Sequence, residues 1–418
     1  MSLSLMLEAY SGDPGIWLPI NRGLRDAIVQ SAARHTQHYR EITAGAATFE
    51  DIPLLTKDLV RDRFHTLVAA NVALERRIEK VTSGSTGQPL RFFKDLWVGQ
   101  AEIAALLFLK LQHQVPLDAI EVLLTVHEIT EPQFDHQGRP RSNINGLPPT
   151  IRIPEQAMIG SEIATQLGVW ASLGPYWLHG SGSCLVRLAK DIAEHDIAIP
   201  RRPEAAITFG DTTYSAERRL IGEILGCPVN SWYGSHELGG YVAGTVGTAD
   251  AYACNPWLVY VEVTDETGRC LPLGEPGHLV ITDLNNHVMP FIRYETGDMA
   301  ELSDSTIGGF RVLTTIHGRS ATECIRLPSG KLLTPMTFSR VFQNEVVATS
   351  VRRWQCQQLA SNAIELRIVW AVPPDDQFQA LLIQRARRAV DVDTEITIRS
   401  VPELEALPSG KRWLVRSM

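Results

Sequence analysis

Lys80 to Pro89 reads K-V-T-S-G-S-T-G-Q-P and sets four hydroxyls, Thr82, Ser83, Ser85 and Thr86, around Gly84 and Gly87. Glycine has no Cβ, so the chain can bend tightly there and bring its amide N–H groups close to a ligand. Amides and hydroxyls together make a nest for anionic oxygens, phosphate above all. Apolar Val81 before the stretch, and Leu90, Phe92 and Phe93 after it, predict a turn between two strands. A flexible Ser/Gly hairpin tip accounts for the same composition equally well. The spacing excludes the P-loop, which needs G-x-x-x-x-G-K-[ST] opening a helix. The dinucleotide fingerprint G-x-G-x-x-G is also absent.

Three other places hold groups suited to nucleotide and carboxylate chemistry. Val229 to Tyr233 reads as a strand that runs into Y-G-S-H-E, Tyr233 to Glu237. In open α/β sheets ligands bind beyond the carboxyl ends of strands. A carboxylate there can hold Mg²⁺ shared with phosphates, although a solvated loop glutamate is the commoner case. Pro290 to Asp298 reads as a strand ending in a T-G-D turn. An aspartate accepts two hydrogen bonds, which suits the vicinal hydroxyls of a ribose; taken alone, T-G-D is a common turn. The string L-P-S-G-K occurs twice and ends on Lys331 and on Lys411. Trp177, His179, Phe209 and Trp232 either line an apolar acid pocket or pack as ordinary core; the residues alone do not separate the two.

The positioning elements alternate. Leu24, Ile28 and Ala32 recur at helical spacing in the first 50 or so residues. Helices are predicted over 96–112, 159–173, 184–195 and 215–225, the last ending at Gly226. Strands are predicted over 120–126, 205–209 and 229–233. Residues 174–182 read as a break and 131–149 as a long loop. This alternation implies a parallel sheet with helical faces. From Trp257 the texture turns to antiparallel, barrel-like β: Val259 to Val263, a hairpin over Asp265 to Arg269, then Gly274 to Leu284. After 316–320 come a hairpin over Pro328 to Gly330, a helix over 338–347, paired strands over 351–359 and 363–372, a helix over 378–390 and a strand over 394–401, a compact α+β unit.

Length and composition bound the class. The chain has 418 residues, 44% apolar and 21% charged, as in a globular protein of two or three domains. A formal net charge of −8 argues against nucleic acid as a partner. The six cysteines include no C-x-x-C pair, which suggests reduced thiols in the cytoplasm rather than a zinc site or disulfide framework. No apolar run is of membrane-spanning length, and no signal peptide is evident.

Taken in order, these motifs resemble those of the adenylate-forming superfamily, which contains acyl-CoA synthetases, peptide-synthetase adenylation domains and luciferases. Thr82 to Pro89 fits its phosphate loop, [ST]-S-G-[ST]-T-G-x-P, at every fixed position. Ile52 to Phe64, I-P-L-L-T-K-D-L-V-R-D-R-F, resembles the segment upstream of that loop in phenylacetate–CoA ligases. Tyr233, Gly234 and Glu237 match Y-G-x-[ST]-E, with His236 in place of the hydroxyl residue. Arg293, Tyr294, Thr296, Gly297 and Asp298 match R-Y-x-T-G-D. Arg319 matches G-R-x-D, with Ala321 where the hinge acid stands, and Lys411 matches P-x-G-K.

The resemblance implies an α/β fold: doubly wound sheets with a small β-barrel over residues 1–317, and a mobile α+β lid over 318–418. It implies that Thr82, Ser83, Gly84, Ser85, Thr86 and Gly87 hold phosphates, and that Tyr233 and Gly234 lie against adenine. Ser235 or His236 would meet the phosphates, Glu237 Mg²⁺, Asp298 the ribose and Arg319 the nucleotide. Lys411 would meet the substrate carboxylate and the α-phosphate, so the implied catalytic set is Lys411, Glu237 and His236. The implied reaction activates a carboxylic acid, aromatic by analogy, as acyl-AMP with ATP and Mg²⁺, then transfers the acyl group to CoA. Transfer to an amine or a carrier-protein thiol is the alternative, and a non-catalytic nucleotide-binding relative a further one. The expected partners are the acid and CoA or an amine, with no membrane or nucleic acid, and a homodimer is permitted.

Overall fold

The computed structural model describes Gly15 and the chain from Trp17 to Ser417, apart from residues 82–89, 97, 126–148, 155–157, 159–160, 246–249, 308, 318–324, 329–331, 334–337, 339–340, 342–349, 391–393, 406–412 and 414. Outside the described residues lie Thr82, Ser83, Gly84, Ser85, Thr86, Gly87, Arg319, Ala321, Lys331 and Lys411. Most of the loop expected at 131–149 and of the helix expected at 338–347 lies there too.

Strands β1 (Arg77–Val81) and β2 (Arg91–Asp95) pair antiparallel with Val81 opposite Arg91, so the two strands predicted to flank the phosphate loop are present. An eleven-stranded sheet follows. Strands β3 (Ile120–Thr125), β4 (Thr150–Pro154), β5 (Tyr176–Ser181), β6 (Ala206–Phe209) and β7 (Val229–Tyr233) form its parallel part, in the order β4-β3-β5-β6-β7. Strands β8 (Ala243–Thr245), β9 (Tyr252–Cys254), β10 (Val259–Thr264), β11 (Pro276–Asp283), β12 (Tyr294–Ile307) and β13 (Phe310–His317) continue it antiparallel from β7, in the order β8-β9-β13-β12-β11-β10.

Side chains alternate across a strand, and the parallel strands have apolar clusters on both faces. Val122, Leu124, Tyr176, Leu178 and Ala206 pack on one side with Ile163, Leu167 and Trp170 of helix Ser161–Ser172 and with Leu185 and Leu188 of helix Gly182–Glu194. Trp177, Ile207 and Trp232 pack on the other side with Val115 and Ala119. Helix Gly182–Glu194 starts where the Ser181 hydroxyl accepts from the Cys184 N–H at 3.2 Å. Helix Ser215–Leu225 stops at Gly226, whose φ of 68° is the left-handed conformation of a glycine C-cap.

Two expectations differ from the structure. Tyr176 to Ser181 is no break between helices but a central parallel strand, with all but its last residue buried. The Gly, Pro and Ser residues around it act as its termini, and burial on both faces overrides local propensity. T-G-D is not a turn at a strand end either. β12 runs through it, with a register shift against β11 between His278 and Val280 and with Gly297 at φ 85°. The motif is a bulge in the strand, which re-aims a side chain locally.

The C-terminal residues form a second sheet in the order β18-β17-β16-β19: β16 is Val351–Ala360, β17 Ala363–Trp370, β18 Glu395–Ser400 and β19 Val415–Arg416. Helix Asp376–Ala389 covers it, and the short strands β14 (Ile325–Arg326) and β15 (Leu332–Leu333) form the expected hairpin.

Arg293 ties the segment before β1 to the antiparallel strands. Its guanidinium, 2% exposed, pairs with Glu262 of β10 and donates to the carbonyls of Glu50, Ile52 and Gly268. Its carbonyl accepts from Leu55 N–H at 2.9 Å, and Glu295 N–H donates to the Leu55 carbonyl at 3.0 Å. The stretch that resembles the phenylacetate–CoA ligase lead-in is thereby docked against the start of β12.

At the far end of β11, Asp283 is 2% exposed. Its Oδ1 accepts from Asn285 N–H at 2.8 Å and Asn286 N–H at 3.3 Å, while its Oδ2 has no partner. Burial pushes this carboxyl up from 3.8 to about 6 despite those bonds and the charge of Lys94. The unfolded chain therefore ionises it first, and wild type loses stability as pH rises from about 4 to about 6, then levels off. Asp283→Asn keeps the Oδ1 acceptor and abolishes the titration. Relative to wild type it should gain on the order of 2–3 kcal/mol between pH 4 and pH 7. Urea unfolding at both pH values measures this; a variant-to-wild-type difference that does not move with pH contradicts it.

Candidate active site

Two motifs distant in sequence meet where the sheet changes from parallel to antiparallel. Tyr233, the last residue of β7, donates its hydroxyl to Asp298 Oδ2 at 2.6 Å, across 65 residues of sequence. Burial, then the charge of Asp298, raises the Tyr233 phenol well above its ordinary range, so it stays a donor. Asp298 sits on the β12 bulge, where its N–H donates to Thr296 Oγ1 at 3.1 Å and the Thr296 hydroxyl donates to the Leu279 carbonyl at 2.9 Å. The neighbouring Tyr294 donates its hydroxyl to Glu237 Oε1 at 3.3 Å.

Glu237 is 7% exposed and lies in a single 3-10 turn, His236–Leu238, just past β7. The chain reverses there: Gly240 N–H donates to the Ser235 carbonyl and Val242 N–H to the Tyr233 carbonyl, each at 3.0 Å. Only glycine fits at 234, because a Cβ would come within 1.3 Å of the Gly240 carbonyl oxygen. The Ser235 Oγ is buried without a partner, while His236 is exposed. Among the described residues no group of three or more His, Cys, Asp or Glu side chains is placed to hold a metal. One buried carboxylate at the carboxyl end of the parallel strands suits Mg²⁺, which takes one or two protein carboxylates and its other oxygens from phosphates and water.

The expected acid-pocket residues also come together. Glu121, Trp177, His179, Phe209 and Trp232 fall on one face of β3, β5, β6 and β7, as the parallel register dictates. His179 stacks on Trp177 at 5.1 Å, tilts over Phe209 at 4.5 Å and meets Trp232 edge-on at 5.1 Å.

Comparison with known proteins supplies the context. The chain is 20% identical over 383 residues to Protein CapK of Staphylococcus aureus, covering 88% of this chain and 79% of that protein. It is 29% identical over 167 residues to phenylacetate-coenzyme A ligase of Pseudomonas putida, covering 39% of this chain and 38% of that one. Among solved structures, 2-hydroxyisobutyryl-CoA ligase in its postadenylation state, in complex with R3-HIB-AMP, superposes with a TM-score of 0.73 at 17% identity, over 95% of this chain and 88% of that one. No family model matches. The chain has the adenylate-forming fold, and parts of its sequence are similar to phenylacetate-coenzyme A ligases. The sequence-level resemblance to that branch is thus matched by the fold and by these relatives.

Within this adenylate-forming fold, three polar residues beside the named ones went unassigned in the sequence. Tyr294 and Thr296 belong to R-Y-x-T-G-D, but their contacts to Glu237 and to the bulge depend on tertiary structure. Glu121 interrupts the apolar run of β3, and an acid in such a strand is itself a signal of a buried partner. That partner is His179, whose Nδ1 lies 2.6 Å from Glu121 Oε1.

The Tyr233–Asp298 bond makes two variants informative together. Asp298→Ala should weaken ATP binding by about 2–4 kcal/mol and abolish preference for ATP over 2′-deoxy-ATP. Tyr233→Phe leaves the carboxylate in place and should keep that preference. Calorimetric titration of both nucleotides into both variants is the measurement. Equal affinities of wild type for the two nucleotides would remove Asp298 from the ribose.

Proposed function

We propose that the protein activates a carboxylic acid with ATP, releasing pyrophosphate, and passes the resulting acyl group from acyl-AMP to CoA. The observation that carries this reading is the junction of Tyr233, Asp298, Glu237 and Tyr294 at the carboxyl end of the parallel strands. It brings an aspartate suited to ribose hydroxyls and a carboxylate suited to Mg²⁺ to the same end of the parallel strands, which supports adenylation chemistry.

Hydroxide is a poor leaving group, so a carboxylate needs activation before acyl transfer. Its oxygen attacks the α-phosphorus, the bond to the bridging oxygen breaks, and pyrophosphate leaves. In this proposal Thr82 to Gly87 cradle the phosphates with backbone amides and hydroxyls, and Lys411 neutralises the two approaching anions. Tyr233 and Gly234 line the adenine, Asp298 holds the ribose, and Arg319 lies near the nucleotide. Glu237 would hold Mg²⁺, which when bound supplies charge stabilisation on the phosphate oxygens. The CoA thiolate then attacks the acyl carbon and AMP leaves. Residues 1–317 are proposed as the ATP- and acid-binding domain and 318–418 as the lid. The protein is proposed to be cytoplasmic; no described helix is long and apolar enough to cross a membrane.

ATP–pyrophosphate exchange over a panel of carboxylic acids, followed by CoA and amines as acceptors, tests the reading. Glu237→Gln should lower exchange by on the order of a hundredfold with little change in melting temperature. Lys411→Ala should abolish exchange yet still convert supplied acyl-adenylate and acceptor to product. Normal exchange in Lys411→Ala would overturn the catalytic lysine, and absence of exchange with every acid would overturn the activity.

A further inference from the structure

His179 is 7% exposed, and its Nε2 meets no hydrogen-bond partner. Burial raises the Glu121 carboxyl, but the hydrogen bonds from His179 and the Thr150 hydroxyl and the charge of Lys110 outweigh burial and hold it below the usual range. The carboxylate is therefore the acceptor, and Nδ1–H of His179 is the donor at 2.6 Å. The second carboxylate oxygen, Oε2, accepts from the Thr150 hydroxyl at 2.8 Å, so the acid is fixed from both sides. In the neutral ring this tautomer leaves Nε2 as an acceptor.

The indole N–H groups of Trp177 and Trp232, 1% and 5% exposed, also lack partners. One aromatic cluster thus contains an unmatched acceptor and two unmatched donors, each more than nine-tenths buried. Every such group is destabilising while unmatched. Plain core packing would place apolar side chains here instead, and buried polar groups in native proteins have partners as a rule. A hydroxyl suits the set, because it donates once and accepts twice. The surrounding rings of Trp177, Phe209 and Trp232 favour an aromatic body, packed offset or edge to face.

We propose that His179, oriented by Glu121, is a specificity-determining residue that accepts a hydrogen bond from a hydroxyl on the acyl group, so that the substrate is a hydroxylated aromatic acid. This rests on the reading that the face of β5, β6 and β7 receives the acid. A site built to bond a hydroxyl discriminates strongly against the analogue that lacks it, because its polar groups are then left unmatched.

The test is direct binding to the full chain, followed by tryptophan fluorescence and calorimetry. The probes are the three ring-hydroxylated phenylacetates and the three hydroxybenzoates, each set compared with its unsubstituted parent. At least one hydroxylated acid should bind roughly a hundredfold tighter than its parent. His179→Leu should erase that difference, and His179→Gln, which keeps an acceptor, should recover part of it. If no hydroxylated acid binds better than its parent to wild type, the proposal is overturned. It is equally overturned if His179→Leu, with an unchanged unfolding midpoint, weakens acid and parent alike. The wild-type comparison stands even if the variants fail to fold. Preferential binding without pyrophosphate exchange would keep this proposal and sink the activation reading; exchange with an unhydroxylated acid alone would do the reverse.

Discussion

The buried guanidinium of Arg293 is the constraint on which the junction of Tyr233, Glu237, Tyr294 and Asp298 depends. Its backbone has φ 50°, in the left-handed region that a non-glycine residue avoids. Such strain costs on the order of 1–3 kcal/mol and persists only where the surroundings over-determine it. Here Glu262 and three backbone carbonyls from two distant segments do so. A buried ion pair adds little net stability, yet removing one partner strands the other at a cost of about 3–5 kcal/mol. Its worth is therefore positional. Tyr294, which reaches Glu237, is the next residue, and Asp298, which accepts from Tyr233, follows four residues later on the same strand. The arginine of R-Y-x-T-G-D aims the rest of its motif, its own guanidinium being held by Glu262 and the carbonyls of Glu50, Ile52 and Gly268.

The second constraint is topological. β7 lies parallel to β6 and antiparallel to β8, so the chain must turn back at once after Tyr233. That reversal brings backbone against backbone at Gly234 and Gly240, and it leaves Glu237 at the carboxyl end of the parallel strands, where α/β sheets open a crevice. The bulge in β12 then carries Asp298 to the same place from the antiparallel side. Neither element forms the junction alone. The hydrogen bond between the Tyr233 phenol and the Asp298 carboxylate adds to the β7–β8 backbone pairing that joins the two halves of the sheet.

Much of this was legible in the residues because local chemistry and tertiary need agreed. Helix Ser215–Leu225 ends at the glycine that marks its end in the sequence, and the hairpin over Asp265 to Arg269 closes with Asp265 Oδ1 accepting from Thr267 and Arg269 N–H groups. The strand Tyr176–Ser181 was hidden because its flanks carry Gly, Pro and Ser, the usual punctuation of loops, while its own burial comes from neighbours on both sides. The T-G-D bulge was hidden because a glycine at positive φ looks the same in a turn and within a strand. The Glu121–His179 pair spans 58 residues and follows only from the register of β3 with β5. Its single trace in the sequence is an acid in an apolar strand.

The departure from the family pattern at His236 can be argued from the same geometry. Ser235 has φ −139° and ψ 155°, an extended residue, and consecutive side chains on extended backbone leave on opposite sides. The Ser235 hydroxyl accordingly ends buried and unmatched, while the His236 ring is exposed. Moving the family's hydroxyl back by one position would therefore not put it where that hydroxyl stood. The group at the matching position is an imidazole, which also donates a hydrogen bond. The replacement of Ser or Thr by His at 236 thus retains a hydrogen-bond donor on the exposed side of the turn.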